Sequence, residues 1–234
     1  MCAGVVKASP LHSKNPAQHA HDLEALKQNE KVSSAFLNPE SSKPKSKVCV
    51  RVDGGNDEGP GHEEVQFWWT RYHLQESSVS LTVTTRDSGS SSKNRVELQN
   101  GCLALGHTNL FIPSTLNGSC IDSSTGNVNQ EKLKENLSDA IDVYINRTDK
   151  CSCGNMVIHL FKGTDSSEYQ RLREMVRVYL KGRVAAKKKL KSDNPEEFKM
   201  IDSIWQLRKR HLTPNRHLTP KGDVCNRVWL HFLI

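Results

Sequence analysis

Aromatic residues are scarce in this 234-residue chain, at 6%, and hydrophobic residues reach only 35%. A core built from so little is small for the length, so substantial loop and tail are expected. No run of 18 apolar residues occurs, which predicts no membrane-spanning helix. Met1 to Pro10 lacks the apolar stretch of a secretory leader. The seven cysteines are odd in number and irregular in spacing. Together these features predict reduced thiols in the nucleus or cytoplasm, and a chain that is not secreted. Asn117-Gly-Ser, Asn136-Leu-Ser and Asn146-Arg-Thr match the glycosylation pattern, but without a secretion route they are expected to be chance matches.

The net charge of +7 is uneven. From Asn155 onward there are 17 Lys/Arg against 8 Asp/Glu, leaving 16 against 18 in the rest. A near-neutral body with a basic C-terminal third fits a polyanion partner, most often nucleic acid. A solvated, lysine-rich helical face accounts for the charge equally well.

Along the chain, Ala17 to Lys31 reads as a helix and Asn38 to Lys47 as a linker. Val48-Cys-Val-Arg-Val52 is a short β-branched run, expected to be a buried central strand, and it ends in Asp53-Gly54-Gly55. From His62 to Leu74, the residues Val65, Trp68, Trp69 and Tyr72 recur at helical spacing, one face to be packed against a sheet. Val79 to Thr84 alternates as a strand with one polar face. A Ser/Gly-rich loop follows. A helix then starts near Asn94, with Leu98, Cys102 and Leu105 as its apolar stripe. Gln130 to Ile145 is amphipathic, and Met156 to Phe161 is a short strand or extended segment. Glu168 to Leu190 reads as one long helix whose outer face carries Arg171, Arg173, Arg177, Lys181, Arg183, Lys187, Lys188 and Lys189. A further helix opens near Pro195 and buries Phe198, Ile201, Ile204 and Trp205.

Asp53 follows a predicted strand, the place where ligands gather in open α/β sheets. Glu97 falls in the first turn of a later helix. Clustered carboxylates suit Mg²⁺ or Mn²⁺, which prefer oxygen ligands. Each acid also has a plain structural reading. Asn94-x-x-Glu97 approximates a capping box, and Asp53-Gly-Gly is a turn sequence. Cys151-Ser-Cys153, with Cys120 or His159, is set against reduced thiols as a zinc site, although structural zinc usually has two residues between paired cysteines.

Val50-Arg-Val-Asp53-Gly-Gly, followed by a helix, a strand, a Ser-rich loop and Asn94-Arg-Val-Glu97, resembles the second half of a DDE-type transposase or integrase catalytic core. His19-Ala-His-Asp22 resembles a segment that precedes it in transposon-derived proteins. The likeness spans roughly Ala17 to Ser114. It implies a partial RNase H-like mixed α/β sheet with flanking helices over 48–114. A helix and linker over 1–47 would precede this core. An irregular and helical connection over 115–166 would follow, then a basic helical region over 167–215 and a disordered or truncated tail over 216–234.

The resemblance assigns Asp53 and Glu97 as the second and third catalytic acids and as ligands for Mg (or Mn), with DNA as partner. The family's first acid has no counterpart here. The expectation is therefore a fragment that begins inside the core, is inactive by itself, and is poorly soluble or marginally stable because the edge of the Val48–Val52 strand is uncovered. A nucleic-acid-binding remnant that uses only the basic region is the alternative, and a protein-interaction module is a third reading.

Overall fold

The computed structural model describes residues 2–52, 55, 57–85, 95–211 and 230–233, with backbone alone at Arg95, His211 and 230–233. The elements in chain order are β1 (Cys2–Val6), α1 (Pro16–Gln28), β2 (Lys47–Val52), α2 (Glu63–Glu76), β3 (Ser80–Thr85), α3 (Arg95–Gly106) and α4 (Gln130–Thr148). They continue with β4 (Ser152–Cys153), β5 (Met156–Lys162), α5 (Ser167–Lys181), α6 (Val184–Asp193), α7 (Pro195–His211) and β6 (Leu230–Leu233). The architecture is mixed α/β, with two small mixed sheets. It divides into two compact units: Met1–Ser13 with Ser92–Asp165, and Lys14–Ser91 with Ser166–Ile234. The division interleaves the chain, and its boundary after Ser91 falls inside the stretch 48–114 read from the sequence as one core.

The unit containing α2 is built on a parallel strand–helix–strand unit. β2 and β3 run parallel, Val48 opposite Leu81 and Val52 opposite Thr85, with α2 between them in sequence. β6 joins the other side of β3 in antiparallel register, Leu81 opposite Phe232. One expectation is corrected here. β3, not β2, is central among the described strands of this sheet, because in it β3 alone has a neighbour on each side. Leu81 and Val83 are accordingly fully buried, whereas β2 alternates between exposed and half-buried positions up to Val52. Of 216–234, read from the sequence as a disordered or truncated tail, the described residues are those of β6.

Helix α2 serves two cores at once. Val65 and Trp69 pack with Val52, Leu81 and Val83 of the sheet, while Phe67 and Trp68 pack with Ala17, Val176, Ile201, Ile204 and Trp205 of the helices. Adjacent residues on a helix point about 100° apart, so two consecutive tryptophans reach two different layers. Helix α1 begins at an Asn15 cap that accepts from the Gln18 backbone N–H at 3.0 Å. The Asn15 side chain also donates to Gln170 at 2.9 Å, and buried Gln18 joins Ser166 to Asp22. These bonds tie α1 to the start of α5.

The helix expected from Glu168 to Leu190 breaks at Gly182, which is extended, with φ −67° and ψ 152°. Its N–H still reaches the Val178 carbonyl, and an added Cβ would sit 2.3 Å from that oxygen. Glycine alone tolerates the approach, so α5 stops at Lys181 and α6 starts at Val184.

In the other unit, β1 runs parallel to β5, and β4 forms a hairpin with β5. Nothing in the unpatterned first residues signalled β1. The expected stripe of α3 is not buried, since Leu98 and Leu105 are 66% and 79% exposed. Cys102 instead forms a disulfide with Cys153 of β4, which corrects the expectation of reduced thiols throughout. Asn136 on α4 is buried and accepts from the Asn117 N–H at 2.7 Å while donating to the Gly118 carbonyl at 2.9 Å. A buried, doubly bonded amide cannot serve as a glycosylation acceptor.

Candidate nucleic-acid interface

The sequence places its first acid, Asp53, directly after β2, and Asp53 lies outside the described residues. Glu97 stands in the first turn of α3 with an exposed side chain. Glu97 belongs to the compact unit of α3, whereas β2, which Asp53 follows in sequence, belongs to the other. Asn94, the other half of the capping box, is also outside the described residues. Among the described residues no three His, Cys, Asp or Glu side chains gather as a metal-holding group. The zinc reading of Cys151 and Cys153 therefore has no support, and Cys153 is held by Cys102.

The turn after β2 is described at Gly55 and from Asp57 onward, and it is tied to α2. The Gly59 N–H donates to the Gly55 carbonyl at 2.7 Å. Gln66 holds the Pro60 carbonyl at 2.7 Å, and the Trp69 indole N–H reaches the Glu58 carbonyl at 3.4 Å. Arg208 of α7 donates to Gln66 and stacks on Trp205, its guanidinium carbon 4.5 Å from the ring centre. The turn is thus supported from two helices.

It borders a groove of about 700 Å³ whose wall includes Lys14, Asp57, Glu64, Arg173 and Lys181. Glu64 and Arg173 neutralise each other in an ion pair between α2 and α5. Both are mostly buried, so the pair is better shielded than a surface one. Lys14 and Lys181 make no ion pair among the described residues. Lys14 carried no pattern in the sequence that could have singled it out.

The eight basic residues picked from the sequence separate into two groups. Arg171 pairs with Glu197 at 3.1 Å, Arg173 with Glu64, and Arg177 with Glu174 at 3.4 Å. Lys187 lies 6.0 Å from the Tyr179 ring centre. That ring's hydroxyl donates to Asp202 at 2.5 Å. Burial and the Asp202 carboxylate raise the Tyr179 pKa, while the phenol's hydrogen bond lowers that of Asp202.

Lys181, Arg183, Lys188 and Lys189 are exposed and unpaired among the described residues. They lie from the end of α5 into α6, and α6 adds Lys191, 5.8 Å from the Phe198 ring. Unpaired cations on a short helix can follow a phosphate backbone, because no internal acid must be displaced first. No helix among the described residues is long and apolar enough to cross a membrane. In comparisons with protein-family models, curated proteins and solved structures, nothing matches this chain.

Proposed function

We propose that this chain derives from a DDE-type transposase or integrase and binds nucleic acid without cutting it by itself. The observation that carries the ancestry is the parallel β2–α2–β3 unit, with Asp53 one residue beyond β2 and Glu97 in the first turn of the next helix. That is the order of a half RNase H-like core. On this reading Asp53 and Glu97 are the acids that would hold Mg (or Mn).

A second reading, binding by charge alone, is favoured by the exposed cations Lys181, Arg183, Lys188 and Lys189. The two separate in one experiment on the 234-residue chain. Duplex DNA binding is followed by fluorescence anisotropy over a salt series, with EDTA or with Mg²⁺, alongside a nicking assay. Binding that persists in EDTA and falls steeply with salt, without nicking, is the expected result. Mg²⁺-dependent nicking abolished by Asp53→Asn would establish catalysis in this chain. Absence of salt-dependent binding would overturn the nucleic-acid reading.

A further inference from the structure

A second cavity, of about 390 Å³, lies between α1 and α2, a size suited to a small ligand. It shares Pro16 and Asp57 with the wall of the groove. Leu23, Val65, Trp69 and Tyr72 supply an apolar and aromatic side. The Trp69 and Tyr72 rings stand at 87° with centres 5.8 Å apart, and His19 meets Trp69 edge-on at the same distance. A flat ring entering here can stack on the half-buried Tyr72 ring or meet its edge, both arrangements that aromatic quadrupoles favour, while Trp69, 4% exposed, backs the wall.

The polar side is formed by Glu76, Lys27 and the Tyr72 hydroxyl. The Glu76 side chain is only 8% exposed and is ion-paired with Lys27. Burial, reinforced by the Glu76 charge, pushes the Tyr72 phenol up to about 12, so it keeps its proton and can donate. An acceptor and two donors therefore stand together beside an aromatic wall.

This combination discriminates among ligands. A hydrocarbon ring would cover the ion pair without replacing its lost hydration. A ring bearing a carboxylate would face Glu24, Asp57 and Glu76, all in the cavity wall. A nitrogen heterocycle with N–H and ring-nitrogen or carbonyl groups along one edge satisfies both the donors and the acceptor. Beyond the shared wall, the groove sets Lys14, Arg173 and Lys181 beside Asp57, Glu63 and Glu64; Arg173 is taken by Glu64, and Lys14 and Lys181 are unpaired among the described residues.

We propose that this cavity binds a nucleotide, with its base against Trp69 and Tyr72, its polar edge on Glu76 and Lys27, and its phosphate toward Lys14 and Lys181. The base site stands on its own geometry. Only the phosphate contact extends the polyanion reading above.

The test is calorimetric titration of the full chain, in EDTA, with the four common nucleoside monophosphates, their nucleosides and inorganic phosphate. At least one monophosphate should bind at one site per chain. Its nucleoside should bind about tenfold more weakly, and phosphate alone should not bind. Ala20→Leu, which fills the cavity from α1, and Lys27→Met, which keeps the stem and removes the ammonium, should each weaken nucleoside and nucleotide by about tenfold or more. Thermal melting checks that both variants remain folded, and either folded variant suffices. Lys181→Glu should weaken the monophosphate and leave the nucleoside unchanged.

A short single-stranded oligonucleotide separates free from polymeric nucleotide. If the strand is the natural source, its affinity exceeds the monophosphate's and falls with Ala20→Leu; if the free nucleotide is, the strand binds no better. No binding of any nucleoside or nucleotide, or binding indifferent to the folded cavity variants, overturns the proposal. Duplex binding lost only in Lys188→Glu/Lys189→Glu would report on the α6 cations instead, so failure of one reading is distinguishable from failure of the other.

Discussion

Of the 17 buried hydrophobic side chains among the described residues, fourteen lie in the unit containing α2, and Ile141, Ile158 and Leu160 are the three in the other. The first unit is held by apolar burial, with Phe67, Val65, Leu81 and Ile201 essentially inaccessible to water. The second has a thin core and leaves Val96, Leu98 and Leu105 exposed on α3. Specific ties take over there: the Cys102–Cys153 bond across 51 residues, the Asn136 bonds to the 117–118 turn, and the Asp149 carboxylate accepting from the Leu160 N–H at 2.8 Å. Where a sequence supplies little apolar area, covalent and polar constraints carry a larger share of local order.

The contrast is most directly broken at Trp68. Trp68→Ala should remove about 3–5 kcal/mol from the α2 unit, measured by urea denaturation. Hydrogen exchange should show lost protection in α1, α2, α5 and α7 and little change in β5. An equal loss in both units would mean that they unfold as one, contrary to the division of cores.

Reduction of the disulfide, or Cys102→Ser, should act in the opposite place. A loss of about 2–4 kcal/mol is expected, seen as faster exchange in α3 and the β4–β5 hairpin, with the α2 unit unchanged. Asn136→Ala tests the polar ties. It strands the Asn117 N–H and the Gly118 carbonyl, and should cost about 1–3 kcal/mol in the same unit.

For the surface, Lys188→Glu/Lys189→Glu should lower the salt slope of DNA binding by roughly 2, close to 0.9 per lost phosphate contact. Arg177→Ala, which removes a cation already paired with Glu174, should change it less.

The smallest effect is expected from alkali. The Tyr72 phenol is raised from 10.0 to about 12, so the folded state holds that proton more tightly than the unfolded chain. Its contribution is complete below about pH 10 and is lost as the pH rises toward about 12. Urea midpoints measured across that window should fall, and Tyr72→Phe should flatten part of the decline.

The spacing of Val65, Trp68, Trp69 and Tyr72 was enough to specify α2, and the β-branched runs before and after it specified β2 and β3. These are local signals, because a helix face or a strand pleat is written in residues a few positions apart. The basic stretch was legible in the same way, residue by residue, although its internal ion pairs were not. Of the candidate site, only the position of Glu97 in a first helical turn has a described counterpart, since Asp53 lies outside the described residues.

Tertiary structure alone decided which of two similar strands became central, because that depends on β6, almost 150 residues downstream of β3. It also decided that Trp68 and Trp69 serve different cores, that Gly182 divides a helix, and that Arg173 is paired with Glu64 while Lys181 has no ion-pair partner among the described residues. The pairing of Cys102 with Cys153 belongs to the same class. A disulfide requires two Cα atoms to come within bridging distance, here 5.4 Å, and only the packing of α3 against the β4–β5 hairpin brings residues that far apart in sequence so close in space.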